Sequence, residues 1–368
     1  MQLPIGWNGA KKMKQSPTEL SVSVIVPVYN GGEKFRRCLA SLKEAHLPPR
    51  EIIVVSDGDT DGSWQLAEEF GAHVSRYPSP GGPGRARNLG AARARGKVLF
   101  FVDADVTVPP NAIGQVVMMF NREPGIDALF GSYDDEPAEP NFLSQYRNLL
   151  HHYVHQQGSE DASTFWGACG AIRRDVFLSI GGFDEGYGRP SVEDIELGYR
   201  LRKAGHRIRL CKSLQVKHLK RWDVVSMLKA DFFQRALPWT EIILRERKFI
   251  NDLNIGMSER ASVMLTFLLL IFLVVSYWQP LALAAAGVMA LILLILNAPL
   301  YRFFLKKRGF QFTIQSIPWH WLYFFYSGVA FAIGTVRHVI NRDRLRKRSL
   351  PIVNGSPPCA ESRMERRG

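Results

Sequence analysis

The sequence predicts an α/β domain with a mostly parallel sheet, followed by an α-helical membrane domain, on three observations. Up to Trp222, apolar runs of strand type alternate with helical stretches, the pattern of successive βαβ units with right-handed crossovers. One of those runs, Lys97 to Asp105 (KVLFFVDAD), reads as a strand buried on both faces and stops in two aspartates. Finally, Ala261 to Leu300 and Ile317 to Val336 are nearly uncharged and of membrane-spanning length.

Taken in order, Ser23 to Tyr29 (SVIVPVY) is the first strand, and Asn30-Gly31-Gly32 turns into a helix carrying Phe35, Leu39 and Leu42. The second strand, Glu51 to Ser56, ends in SDGDTDG. A helix over Trp64 to Phe70 and a short strand near His73 to Arg76 follow. In PSPGGPGRARNLGAARA, Gly81, Gly82 and Gly84 open a helix carrying Arg85, Arg87 and Asn88. Free amides at that start, beside two arginines, suit a phosphate-rich ligand; the plainer alternative is a loop. No Gly-Lys-Ser/Thr follows, and the glycines lack the dinucleotide-binding spacing after a strand, which counts against kinases and dehydrogenases.

The ends of strands one, two and four are expected on a common edge, with Asp57 and Asp103 as neighbours. Asp103 and Asp105, two apart at the carboxyl end of a central strand, can hold a hard divalent cation that in turn holds a diphosphate. The simpler reading has Asp105 capping the helix that begins near Pro109.

A helix from Pro110 to Asn121 leads to a strand at Ile126 to Gly131, and regularity ends near Tyr133. His151, His152 and His155 share a helix but lack a third ligand at fixed spacing, so they read as an ordinary helix face. Phe165 to Ile172 (FWGACGAI) suits backbone packed close to a ligand, and Gly181 to Glu185 forms a tight turn. In VEDIELGYRLRKAGHRI, Ile195, Tyr199 and Leu201 form a buried stripe. Glu193 and Asp194 then fall in the first turn, where the helix dipole favours negative charge and simple capping is the plainer role. A strand at Ile208 to Leu210 and the segment Gln215 to Trp222 close this half.

The net charge of +13 has much of its basic excess beside the apolar segments, where it reads as contact with anionic lipid headgroups; no nucleic-acid partner is expected. Cys38, Cys169, Cys211 and Cys359 form no C-x-x-C pair, which argues against a disulfide framework or a zinc site and fits a reducing cytosol. The first twenty residues hold no apolar core of signal-peptide length.

From Val224 to Lys248 the pattern is amphipathic with a break at Pro238; a helix packed on the preceding domain would look the same, but the neighbouring spans favour a helix pair lying in a bilayer surface. Spans are expected at Ala261 to Trp278 and Leu281 to Leu300, joined at Gln279-Pro280, with Ile317 to Val336 as a third crossing on its length. Arg302, Lys306, Lys307 and Arg308 before that stretch, and Arg337 to Arg348 after it, both ask to be cytoplasmic, which one full crossing cannot satisfy: either the stretch re-enters without crossing, or the basic tail lies outside.

The ordered set VSVIVPVYN, SDGDTDGS, GGPGRARN, VDAD, GGFDE, VED and a final His before LKRW resembles the family 2 glycosyltransferases, over roughly Ser21 to Trp222. The resemblance implies a Rossmann-like, GT-A type nucleotide-sugar-binding fold. It also implies an inverting transfer from a UDP, GDP or TDP sugar to a lipid or glycan acceptor, in cell-envelope glycan synthesis. It places Asp57 on the nucleotide base, with Pro27, Tyr29, Arg85, Arg87, Asp103 and Ala104 on the donor side. Asp105, with Asp103 and His218, would hold Mn²⁺ or Mg²⁺, and Asp194, with Glu193 beside it, would be the general base. Trp166, Gly170, Asp184, Arg221 and Trp222 fall on the acceptor side.

Two departures stand out. Ser56 and Asp59 occupy the first and fourth positions of the motif usually written D-D-G-S, and His218 to Trp222 replace the Q-x-x-R-W of processive synthases. The implied organisation is a flexible segment over 1–20, a catalytic domain over 21–222, interfacial helices over 223–255, two or three spans within 256–340, and a disordered basic tail over 341–368. The protein would sit in the plasma or inner membrane with its catalytic domain facing the cytoplasm, where nucleotide sugars are made. Transfer to a polyprenyl phosphate, and a non-catalytic binding or export role, are the alternatives.

Overall fold

Strand β1 (Val22–Val28) is apolar at almost every position and buried nearly throughout, as its sequence demands of a central strand. The computed structural model describes residues 20–246 and 256–340; most of the expected flexible segment, the end of the interfacial stretch and the basic tail lie outside the described residues. From β1 the chain runs through α1 (Gly32–Lys43), β2 (Glu51–Asp57), α2 (Ser63–Glu69), β3 (His73–Tyr77), α3 (Pro83–Arg93) and β4 (Val98–Val102). These strands pair in parallel in the order β3-β2-β1-β4. Helix α3 packs so closely on this sheet that a Cβ on Gly90 would lie 2.5 Å from Ile25.

Beyond β4 the sheet is mixed, not mostly parallel. After β5 (Val106–Thr107), α4 (Ala112–Arg122), β6 (Ala128–Tyr133), α5 (Phe142–Gln157) and β7 (Asp161–Ala162), strand β8 (Cys169–Arg173) enters between β4 and β6, antiparallel to both. The stretch expected to approach a ligand is thus largely a core strand. Gly170 packs against Phe165 and the Trp166 carbonyl of its own chain, a crowding that only a glycine accepts. Phe101 of β4 meets Phe165, Phe177 and Phe183 in one aromatic core.

After α6 (Arg174–Ser179) and α7 (Glu193–Lys203), β9 (Ile208–His218) is one continuous strand where two pieces were expected, with a bulge opposite Phe130 to Ser132. It pairs in parallel with β6 and antiparallel with β5, which sets His218 opposite Val106.

The helical half starts with α8 (Val224–Lys229), a π-helical segment (Ala230–Ala236) and α9 (Leu237–Glu246). No break falls at Pro238: the preceding π turns absorb a residue that cannot donate its own amide, so the helix runs through. Its buried face covers the α/β half, with Ile242 against Val192 and Tyr199.

Helices α10 (Met257–Val275) and α11 (Leu281–Leu296) form the expected hairpin, and α12 (Ala298–Ile340) bends at Gly309, whose φ of 82° needs no Cβ in the way. Among the described residues one helix, α10, is long and apolar enough to cross a membrane, or two if α11 and α12, bent by 64°, count as one span.

Ile317 to Val336 does not stand clear as a separate third crossing. It follows the helix of 224–246 in step, Tyr326 donating to Asp231 and Gly334 lying against Thr240. Nor are two of the basic residues before it free flanks: Arg308 donates to Gln145 and to the Asp135 carbonyl, and Lys307 pairs with Asp135.

Candidate active site

A cavity of about 840 Å³ opens where the carboxyl ends of β1, β2 and β4 meet the start of α7, the end of β9 and the helices α5 and 224–246. This is the crevice in which open α/β sheets bind ligands. Asp57 at the end of β2 and Asp103 just past β4 both line it, as the common edge predicts.

The Asp57 carboxylate is already committed. It accepts from the Gly81 amide at 2.9 Å, the Gly82 amide at 2.8 Å and the Arg85 guanidinium at 3.2 Å. The amides expected to cradle a phosphate are therefore spent on a buried carboxylate, which needs donors once it leaves water. Arg85 also donates to the Ser79 carbonyl and does not line the cavity. Gly82, at φ 92°, passes within 2.8 Å of the 187–188 backbone where a Cβ would stand, so the glycine loop and the 186–191 loop interlock. Ser56, in the altered motif, donates to Asp59.

Arg87 from α3 is buried and bridges two carboxylates, Asp103 at 2.6 Å and Glu193 at 3.0 Å. Burial works against its charge, but the two carboxylates outweigh that and raise its pKa. Glu193 also accepts from the Ser191 amide at 2.9 Å, so it serves as a strut between loop, helix and strand end.

Asp194, next in the same turn, faces the cavity and accepts from the Gly167 amide at 3.0 Å. Burial, then the neighbouring Glu193, push its carboxyl up to about 6.

The β5–β9 pairing brings His218 to 3.6 Å from Asp105, with the imidazole stacked on Tyr133 at 4.3 Å. Although burial opposes it, His218 holds the Asp105 carboxyl down to about 2, with Lys220 and Lys34 adding to the effect.

Asp105, His218 and Asp103 all line the cavity, but Asp103 is held by Arg87, and among the described residues no group of three or more acidic, His or Cys side chains is close enough to enclose a metal. One carboxylate and one imidazole with cavity space beside them fit a divalent cation that takes its remaining ligands from a diphosphate and water. They do not fit a closed all-protein cage.

Pro27, Tyr29, Ala104, Trp166 and Trp222 also line the cavity. Three residues expected on the acceptor side do not. Gly170 is inside the sheet, Asp184 accepts from the Gly186 amide in its own turn, and Arg221 points outward to Glu139 at 3.3 Å. A tryptophan beside an arginine carries no signal of which one turns inward.

Of the three histidines, His152 and His155 contact the carbonyls of Tyr133 and Gly131 as helix-to-sheet ties, whereas His151 packs at a tilt against Tyr133 and Trp166 at the cavity wall. Sequence reasoning missed Arg147 and Arg235, both cavity-lining. For Arg147 the available signal was a cation on the face of α5 that carries Leu143, Tyr146 and Leu150.

Residues 23–181 match the family described as Glycosyl transferase family 2. Among curated proteins, the chain is 36% identical over 102 residues to the uncharacterized glycosyltransferase YibD of Escherichia coli, covering 27% of this chain and 30% of that one. It is 27% identical over 215 residues to the probable glycosyltransferase YdaM of Bacillus subtilis, covering 54% and 50%. The chain thus spans no more than about half the length of these relatives. Among solved structures, the mannosyltransferase PcManGT from Pyrobaculum calidifontis, in complex with GDP-Man and Mn2+, aligns at a TM-score of 0.48 with 16% identity over 84% of this chain and 86% of that one. S. aureus TarS aligns at 0.47 with 20% identity over 61% and 39%.

Proposed function

We propose that this chain, whose residues 23–181 form a family 2 glycosyltransferase domain, moves one sugar from a nucleotide-sugar donor to a hydroxyl of a lipid-linked or hydrophobic acceptor, with inversion. The observation that carries this reading is the placement of Asp194 on the same cavity as the acidic end of β4, with a carboxyl raised to about 6. A carboxylate of that basicity is ionised at neutral pH and can accept a proton from an acceptor hydroxyl. The hydroxyl oxygen attacks the anomeric carbon, the bond from that carbon to the diphosphate oxygen breaks, and the proton passes to Asp194. A single displacement inverts the centre and releases a nucleoside diphosphate.

Arg87 keeps Asp103 and Glu193 in place, so Asp194 is oriented by a rigid turn and not by its own side chain alone. Asp105 and His218 would hold the divalent cation, Mg²⁺ or Mn²⁺, with Asp103 beside them; when bound, it supplies positive charge against the departing diphosphate. Anchoring through α10 would set the cavity at a bilayer surface on the cytoplasmic side, beside a lipid acceptor.

The test is release of nucleoside diphosphate by the full chain across UDP, GDP and TDP sugars with Mn²⁺ or Mg²⁺ and a membrane lipid extract. Release that needs donor and lipid and is lost in Asp194→Asn supports the reading; release unchanged in that variant would remove Asp194 as the base.

A further inference from the structure

A second cavity, of about 460 Å³, lies between the helix of 224–246, α10 and α12. Its walls are mostly apolar, with Trp239, Ile243, Val263, Met264 and Phe324 among them. It adjoins the catalytic cavity: Arg147 and Arg235 line both. At the other end, Met264 is 67% exposed and continues into the exposed apolar face of α10 at Leu268 and Ile271.

The charges at the junction do not cancel. Asp231 pairs with Arg147 at 2.5 Å through one oxygen and accepts from Tyr326 at 2.6 Å through the other. Arg235 is half-buried, and among the described residues no carboxylate pairs with it. Glu259 and Arg260, at the start of α10, line the second cavity as well. Asp231 and Asp194 act on the Arg235 guanidinium from nearby without pairing with it, so its planar fork is left facing the two cavities, where it can take an anion.

We propose that the second cavity holds the hydrocarbon chain of the acceptor, and that a phosphate group on that lipid sits between Arg147 and Arg235, with its sugar-accepting end in the catalytic cavity. This rests on the glycosyltransferase reading and adds the substrate class: a phosphate-bearing lipid, not a neutral one. Apolar walls with few polar groups fit an alkyl or isoprenoid chain and offer a peptide or a second nucleotide little to bond. The exposed apolar face of α10 would let the chain enter sideways from a bilayer.

Binding of radiolabelled farnesyl phosphate and farnesol to the full chain in phosphatidylcholine nanodiscs separates the possibilities, with binding of the nucleoside diphosphates measured in parallel. Farnesyl phosphate is expected to bind at least about tenfold tighter than farnesol, the size of one charge-assisted hydrogen-bond set. In Arg235→Gln that preference should fall to about twofold or less, and Arg235→Lys should restore part of it. Ser327→Trp, which fills the second cavity, should weaken both lipids about tenfold or more while nucleoside diphosphate binding is unchanged and reports an intact fold.

Equal binding of the two lipids by the native chain, displacement of farnesyl phosphate by an equal concentration of inorganic phosphate, or unchanged lipid binding in Ser327→Trp would each overturn the proposal. The expected lipid pattern without sugar transfer from any donor would support it and overturn the glycosyltransferase reading instead.

Discussion

The two halves of the chain treat the same residue types in opposite ways. In the catalytic half Phe101 is fully buried among other phenylalanines, while in α10 Ile271 and Val274 are 54% and 62% exposed. Charge divides the same way. Around the catalytic cavity, buried carboxylates meet amides and guanidinia from distant parts of the chain, as Arg87 does with Asp103 and Glu193. The helical hairpin is joined mainly by apolar contacts and isolated polar links such as Asn297 to Ser262 at 3.0 Å. Hydrophobicity therefore reports which surfaces avoid water, not what covers them: a protein core in one half, and on our reading a lipid bilayer in the other.

The largest expected effect sharpens the catalytic side of this comparison. Asp194→Asn should lower the transfer rate by about 10²- to 10⁴-fold with donor affinity unchanged, measured as product release and as nucleotide binding. Next, Arg87→Met leaves Asp103 and Glu193 without their cation and should cost about 3–5 kcal/mol in denaturant unfolding. Phe101→Ala should cost a similar ~3–5 kcal/mol through the cavity it opens.

A pH profile gives a smaller effect. Since Asp194 must be ionised to accept a proton, kcat/KM should fall below about pH 6 and level off above it, and the limb should vanish in Asp194→Asn. The same shift has a sign for stability. A carboxyl raised from 3.8 to about 6 contributes stability that is present below 3.8 and lost as the pH rises through 6. Asp194→Asn should therefore not lower the Tm at pH 7.5.

The smallest effect is the one that could break the comparison. Ile271→Ala in detergent should change stability by less than about 0.5 kcal/mol; a loss as large as that of Phe101→Ala would mean that α10 packs against protein.

Much of the fold was legible from local pattern. The alternation of strands and helices, the buried KVLFFV strand, the acidic first turn of α7 and the apolar hairpin follow from neighbours along the chain, where period and composition are written. The reversed direction of β8 was not, because a glycine-rich run carries no mark of which strands will flank it. The candidate site divides in the same manner. The carboxylates were visible as residues at strand ends and helix starts, but the partners of Asp57, and the failure of Gly170, Asp184 and Arg221 to reach the cavity, depend on packing.

The sequence alone thus determined which segments become strands, helices and apolar spans, because backbone geometry and hydrophobic periodicity act over a few residues. Only the tertiary structure decided which charge answers which. Arg87 and Glu193 are 106 residues apart, and Arg147 and Asp231 meet across two halves of the chain. A buried charge must find a partner in space, and distance along the chain places almost no constraint on where that partner comes from.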